Sequence, residues 1–252
     1  NIRLLMTLSN LSHLRAETIP HLISSFESAF SVQLSDETKT LRDVLGQIDA
    51  RLFQAYVTPT VDKLSILIHD GLHAASWAPS TSPAADPLGA WRPTNAKPYI
   101  YDVLLLLVLV HAEVTATALP LTNQILSYLL EQTSQLLLTA FSTAYTHYPL
   151  PALMQATLDV EFLAQTLNQF TTERAGELQG RIYVELDART DDGARGQLQG
   201  ELPGMRGVLK GLREGGRGVF GCFRREKRGR DGREGAKGAG AVGGSTGGLK
   251  AQ

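Results

Sequence analysis

The sequence predicts an all-α protein: consecutive antiparallel helical bundles forming a rod, followed by a disordered, basic, glycine-rich tail. Three observations carry this. The apolar residues Leu153, Ala156, Val160, Leu163, Leu167 and Phe170 recur at alternating spacings of three and four, the rhythm of a helix laid against other helices. Several more stretches share that rhythm, divided by short proline-containing turns, and no strand-like alternation of useful length occurs. Charge is also unevenly placed: residues 1–203 carry a net −9, whereas residues 204–252 carry a net +8 and hold 16 of the 24 glycines. With 252 residues, 43% of them hydrophobic, the chain can bury a sizeable core.

From the start, Leu4, Leu5, Leu8, Leu11, Leu14, Leu22, Ile23 and Phe26 lie at helical spacing up to about Phe30. Pro20 interrupts them, so one kinked helix or two helices are both compatible with the pattern. Ser35 offers an N-cap, with Asp36 and Glu37 placed at the positive end of the next helix. That helix aligns Leu41, Val44, Leu45, Ile48, Leu52 and Tyr56. Thr58 and Pro59 can cap and restart it, and it continues through Val61, Leu64 and Ile68 to a stop near Gly71. Residues 1–75 thus form a first helical segment.

Pro79, Pro83, Pro87, Pro93 and Pro98 fall in a Ser-, Thr- and Ala-rich stretch, which makes residues 76–98 an irregular linker. Residues 99–190 then form a second bundle, with helices at about Tyr99–Ala118, Thr122–Tyr145, Ala152–Phe170 and Thr172–Arg189. Pro120, the turn Tyr148-Pro149-Leu150-Pro151 and Asp191-Asp192-Gly193 separate or end them. The apolar run Val103–Val110 reaches membrane-spanning length only by taking in Asp102, His111 and Glu113. It therefore reads as a buried core helix. Residues 191–252 read as the tail, with a weak helix near 205–212 conditional on docking and disorder beyond it, because each interior glycine costs a helix about 1 kcal/mol relative to alanine.

No catalytic or metal-binding constellation stands out. His111 and Glu113 are two apart and so face different ways on a helix; His111 reads as a packing residue. Asp159 and Glu161 have the same spacing and make a poor acid/base pair. No phosphate-binding loop occurs, and the lone Cys222 excludes an internal disulfide and fits a reducing compartment. No cofactor is expected, and the chain reads as a non-enzyme. The candidate contact site lies in the tail, where Phe220 and Phe223 adjoin Arg224, Arg225, Lys227, Arg228 and Arg230. The basic residues would attract anionic lipid or an acidic partner, the aromatics would insert, and Cys222 is a conceivable lipidation point. The bland reading is a solvated extension. No folded RNA-binding module accompanies the charge, so nucleic acid is not an expected partner.

Several blocks in order resemble one family. Arg92-Pro93-Thr94 with Lys97-Pro98-Tyr99-Ile100-Tyr101, Val110-His111-Ala112-Glu113-Val114, Leu121–Leu130 and Ala152–Leu167 resemble the C-terminal region of exocyst complex component two. The block Asp36–Tyr56 is similar to the fungal branch. The resemblance covers about residues 1–230; the glycines from Gly204 to Gly216 depart from the final charged helix expected there, and Ala236–Gln252 has no counterpart. It implies a rod of helical bundles serving as a subunit of the eight-protein complex that tethers secretory vesicles to the plasma membrane before fusion. Other exocyst subunits would be its partners, with small GTPases reached through the complex. Its location would be cytoplasmic, peripheral at plasma-membrane sites of secretion, with peripheral contact to anionic membrane. The start at Asn1, without methionine or signal peptide, reads as a fragment or an incomplete gene model, and the resemblance implies that upstream assembly helices and the GTPase-binding domain of animal relatives are missing. The competing class is a free-standing helical adaptor that binds acidic membrane through the basic tail.

Overall fold

The computed structural model describes residues 1–74 and 92–224, and among them no strand occurs. Helix α1 (Ile2–His13) passes through a π-helical turn, Leu14–Thr18, into α2 (Ile19–Phe30). Pro20 therefore neither breaks nor ends the helix. In the π turn the Ile19 amide donates to Leu14, five residues back, and the widened register makes room for a proline that has no amide proton and crowds the preceding turn. Ser31, in the left-handed region at φ 55°, ends α2. Glu27 Oε1 accepts from the Leu34 amide at 2.8 Å across the turn.

Helix α3 (Ser35–His73) runs unbroken for 39 residues, about 58 Å at 1.5 Å per residue. Two expectations change here. Leu34 occupies the cap position and Ser35 is the first helical residue, with Asp36 and Glu37 in the first turn. Pro59 lies inside the helix instead of restarting it; its missing hydrogen bond is local, and Thr58 Oγ1 bonds the Gln54 carbonyl at 2.7 Å nearby. An Arg15–Asp49 ion pair at 2.7 Å joins the two arms of this hairpin.

Next come α4 (Pro98–Ala118), a 3-10 turn (Leu119–Leu121), α5 (Thr122–Ala144) and α6 (Leu150–Thr166). After the 3-10 turn Asn168–Phe170 come α7 (Glu173–Ala188), α8 (Asp192–Gly215), α9 (Arg217–Phe220) and a last 3-10 turn (Gly221–Phe223). The α6 helix stops at Thr166, yet Leu167 and Phe170 still bury, as do Leu153, Val160 and Leu163, all at 5% exposure or less. Helix α5 packs between α7 and α3, while α6 packs against α8. Helices α1 and α3 also pack on α4, so Leu5, Leu64, Ile68 and Leu72 join one continuous core with the later helices. The expected boundary between residues 1–75 and 99–190 is thus not a boundary between separate cores.

Close approach at one crossing requires glycine. A Cβ on Gly71 would lie 2.2 Å from Tyr99 Cβ, so α3 and α4 meet backbone to side chain at that point. Most of the expected linker, residues 75–91, lies outside the described residues; Arg92–Lys97 is irregular. It is strapped to the bundle by the buried Asp159 and Gln155 of α6. Asp159 Oδ1 accepts from the Lys97 amide at 2.9 Å and from Gln155 Nε2 at 2.8 Å, and the same Nε2 donates to the Asn95 carbonyl at 3.1 Å. Arg92 forms an ion pair with Glu201 of α8.

The largest correction concerns the expected tail. Asp192 and Gly193 begin a 24-residue helix instead of closing α7, and Pro203 lies within it. The weak helix expected near 205–212 is only the middle of α8. Its glycines Gly193, Gly196, Gly200, Gly207, Gly211 and Gly215 sit on the exposed side with open space around each. Met205 and Leu209 bury on the other side, and Leu198, Val208 and Leu212 pack partly against the core. Burial of these residues offsets the glycine cost. Disorder beyond Gly215 does not hold through Phe223, which is helical and packed; residues 225–252 lie outside the described residues.

Candidate functional site

The predicted contact residues separate into two groups. Phe220 is 7% exposed and Phe223 0%, so neither is available to enter a membrane. Phe220 lies against Tyr101 and Phe162, with ring centroids at 6.5 and 6.2 Å. Phe223 meets His111 and Phe170 edge-on at 5.7 and 6.0 Å. Their spacing of three puts both rings on the inner side of the closing turn, and this apolar area anchors the end of α8 to α4 and α6. Arg224 is exposed. Arg225, Lys227, Arg228 and Arg230 lie outside the described residues.

His111 is the packing residue its position suggested. It is half-buried between Phe170 and Phe223, and desolvation holds its pKa below the ordinary imidazole value. Cys222 is exposed, and desolvation pushes its thiol up, which disfavours the reactive thiolate. Glu161 accepts from Tyr183 Oη and from Gln165 Nε2, each at 2.9 Å, while Asp159 faces the Arg92–Lys97 strap; the two carboxylates have separate structural duties. Burial, then the nearby Glu161, raises the Tyr183 pKa. Among the described residues no group of three His, Cys, Asp or Glu could hold a metal ion.

Two surface features go beyond the predicted residues. The first is the outer face of α4. Pro98–Ala144 is long and apolar enough to cross a membrane by length and composition. Yet α4 carries Asp102 and Glu113 and buries Tyr99, Ile100, Val103, Leu104, Leu107, Val110, Val114 and Ala118, so it is a core helix of the bundle. Opposite that face, Leu105, Leu109, Ala112, Ala116 and Leu119 are exposed, the three leucines at 43%, 67% and 65%. Their spacing of four, three, four and three forms a straight apolar row of the kind that packs against another helix. An apolar row lies also on α2, where Leu22, Phe26 and Phe30 are 59%, 45% and 64% exposed.

The second feature is a groove of about 690 Å³ where α6, α8 and the closing turn converge. Its floor is Phe162, Phe170 and Phe220, and Arg213 and Arg224 stand over it. Asn123, Gln165, Asn168 and Gln169 contribute carboxamides. Among the described residues no carboxylate lines it. Sequence reading missed both features. Helix α4 is apolar around most of its circumference, which hides its outer row; the alanines within that row, small enough for a second helix to approach, were the available signal.

Residues 1–223 match the family described as Exocyst complex component Sec5. Among curated proteins, the chain is similar to human Exocyst complex component 2, with 25% identity over 170 residues that cover 68% of this chain and 17% of that protein. No solved structure matches the chain.

Proposed function

The chain belongs to the Exocyst complex component Sec5 family, and from that premise we propose that it is a non-catalytic portion of a subunit of the complex that tethers secretory vesicles to the plasma membrane before fusion. Tethering calls for reach and for packing surfaces. Reach comes from helices as long as α3, with 39 residues. The observation that carries the reading is the exposed row Leu105–Leu109–Ala112–Ala116–Leu119: a straight apolar seam on a rigid, otherwise buried helix. Its occupant is a helix of another exocyst subunit with its own three–four apolar row, seated by knobs into holes. The subunit works in the cytoplasm, peripherally at sites of secretion, and meets small GTPases through the complex. A free-standing adaptor that grips acidic membrane through its tail would act on charge alone, because Phe220 and Phe223 are committed to the core.

The test places Leu109→Arg and Ala116→Arg together in the full-length subunit and measures its co-purification with the other exocyst subunits. The expected result is loss of at least one neighbour with an unchanged circular dichroism spectrum. Normal recovery of every subunit would refute the assignment of this seam.

A further inference from the structure

We propose that the groove at the end of α8 binds an extended acidic segment of a partner protein, which goes beyond the packing role of the α4 seam and does not depend on it. Arg213, in the last turn of α8, donates to the neutral Gln165 Oε1 at 3.1 Å. Arg224, just past the closing turn, donates to the Arg213 carbonyl at 3.4 Å. Among the described residues neither guanidinium is paired with a carboxylate, so both can take one from a partner. Arginine's planar fork suits a carboxylate in two-point contact.

The remaining walls narrow the ligand class. Asn123, Asn168 and Gln169 face the groove, and no hydrogen bond engages their amide groups within the described residues. Each carboxamide offers a donor and an acceptor. A bare phosphate group uses donors only, whereas a peptide main chain alternates N–H and C=O and uses both. The aromatic floor accepts one apolar side chain between acidic ones. A volume of about 690 Å³ lies within the range of ligand clefts. The chain's own continuation is a poor occupant, because residues 225–252 hold seven Lys or Arg against three Asp or Glu and would meet Arg213 and Arg224 with like charge.

The experiment titrates the full 252-residue chain into a fluorescein-labelled peptide of Glu and Asp around a single Leu, read by fluorescence anisotropy. The control peptide replaces every acid by its amide, and vesicles of phosphatidylcholine with phosphatidylserine form a parallel arm. The expected result is binding of the acidic peptide only, weakened about tenfold by Arg213→Gln with Arg224→Gln, since each exposed charge pair contributes a few-fold. Asn168→Ala with Gln169→Ala, which leaves the charge unchanged, should also weaken it severalfold. Neutralising Arg225, Lys227, Arg228 and Arg230 together should change it less than about twofold. Equal binding of the control peptide, loss on neutralising the four tail residues alone, or no binding by the wild-type chain would each overturn the proposal. So would vesicle binding that depends on Arg213 and Arg224 without peptide binding, which would assign the surface to membrane. Circular dichroism confirms that each variant is folded, and the amide pair tests the groove even if the arginine pair alters the closing turn.

Discussion

Replacing Asp159 by alanine removes the acceptor that fixes the entry to α4. The side chain is fully buried, and its Oδ1 takes the Lys97 amide at 2.9 Å and Gln155 Nε2 at 2.8 Å. Lys97 is the cap residue of α4, so its amide belongs to the helix start, where a negative charge is also favoured by the helix dipole. Alanine leaves two donors without this partner beside a fully buried position. Each costs about 1–3 kcal/mol. The sum is ~2–6 kcal/mol, with Gln155 still able to hold the Asn95 carbonyl at 3.1 Å.

Asp159→Asn separates hydrogen bonding from charge. Its carbonyl oxygen can keep the Lys97 contact, and the desolvation of a buried charge is relieved, so the expected loss is ~1–2 kcal/mol. Urea unfolding of both variants measures the difference. Native-state amide exchange at Tyr99–Tyr101 should accelerate in the alanine variant more than exchange in α7, because the frayed strap frees the first turn of α4 before the rest. Equal losses for the two substitutions, or less than ~1 kcal/mol for alanine, would refute the reasoning.

Gly71→Ala should destabilise by ~1–3 kcal/mol or more, because the new Cβ would sit 2.2 Å from Tyr99 Cβ and α4 itself must move to relieve the overlap; thermal denaturation measures it. Thr172→Ala should cost about 1–2 kcal/mol in the same assay, since the hydroxyl caps α7 through the Ala175 amide at 3.1 Å and donates to Glu131 at 2.5 Å. Gly200→Ala with Gly207→Ala should instead raise stability by roughly 1–2 kcal/mol in urea titrations, as both positions face open space on α8. The His111 imidazole, held below its unfolded value by desolvation, binds fewer protons folded than unfolded. Its contribution is therefore complete above the unfolded pKa of about 6.5 and is lost as pH falls through the lower folded value, so His111→Gln should flatten the pH dependence of the melting temperature between about pH 7 and 5.

The helices that were legible in the sequence are those whose apolar residues recur at helical spacing between clear turns. The row from Leu153 to Phe170, which runs past the end of α6, buries where its spacing placed it, and α7 begins after Thr172 as the polar cap allows. Proline and glycine misled in proportion to how far tertiary contacts outweigh local propensity. Pro20 acts through the register of the π turn before it, and Pro59 through one missing amide in a helix held by Tyr56, Val57, Leu64 and Ile68 on either side. Neither effect can be read from the proline alone, because a long helix anchored at both ends tolerates one lost bond that would end a short one.

The same balance explains why the candidate surfaces were only partly legible. Aromatic residues beside a basic run suggest membrane insertion when read locally. Phe220 and Phe223 instead find Tyr101, Phe162, His111 and Phe170, partners 50 or more residues away that no local pattern announces. Once those rings are docked, the closing turn brings Arg224 back to Arg213, and a groove exists that neither segment possesses separately. The glycine-bearing face of α8 is a consequence of the same docking: the helix is held from its inner side by Met205 and Leu209, so its outer side is released from any requirement for helix-favouring side chains. Local weakness and tertiary anchorage therefore occur on opposite faces of one element. Weakening Phe220 and Phe223 should unravel α8 from its C-terminal end before it disturbs α6, an order that residue-resolved amide exchange would report.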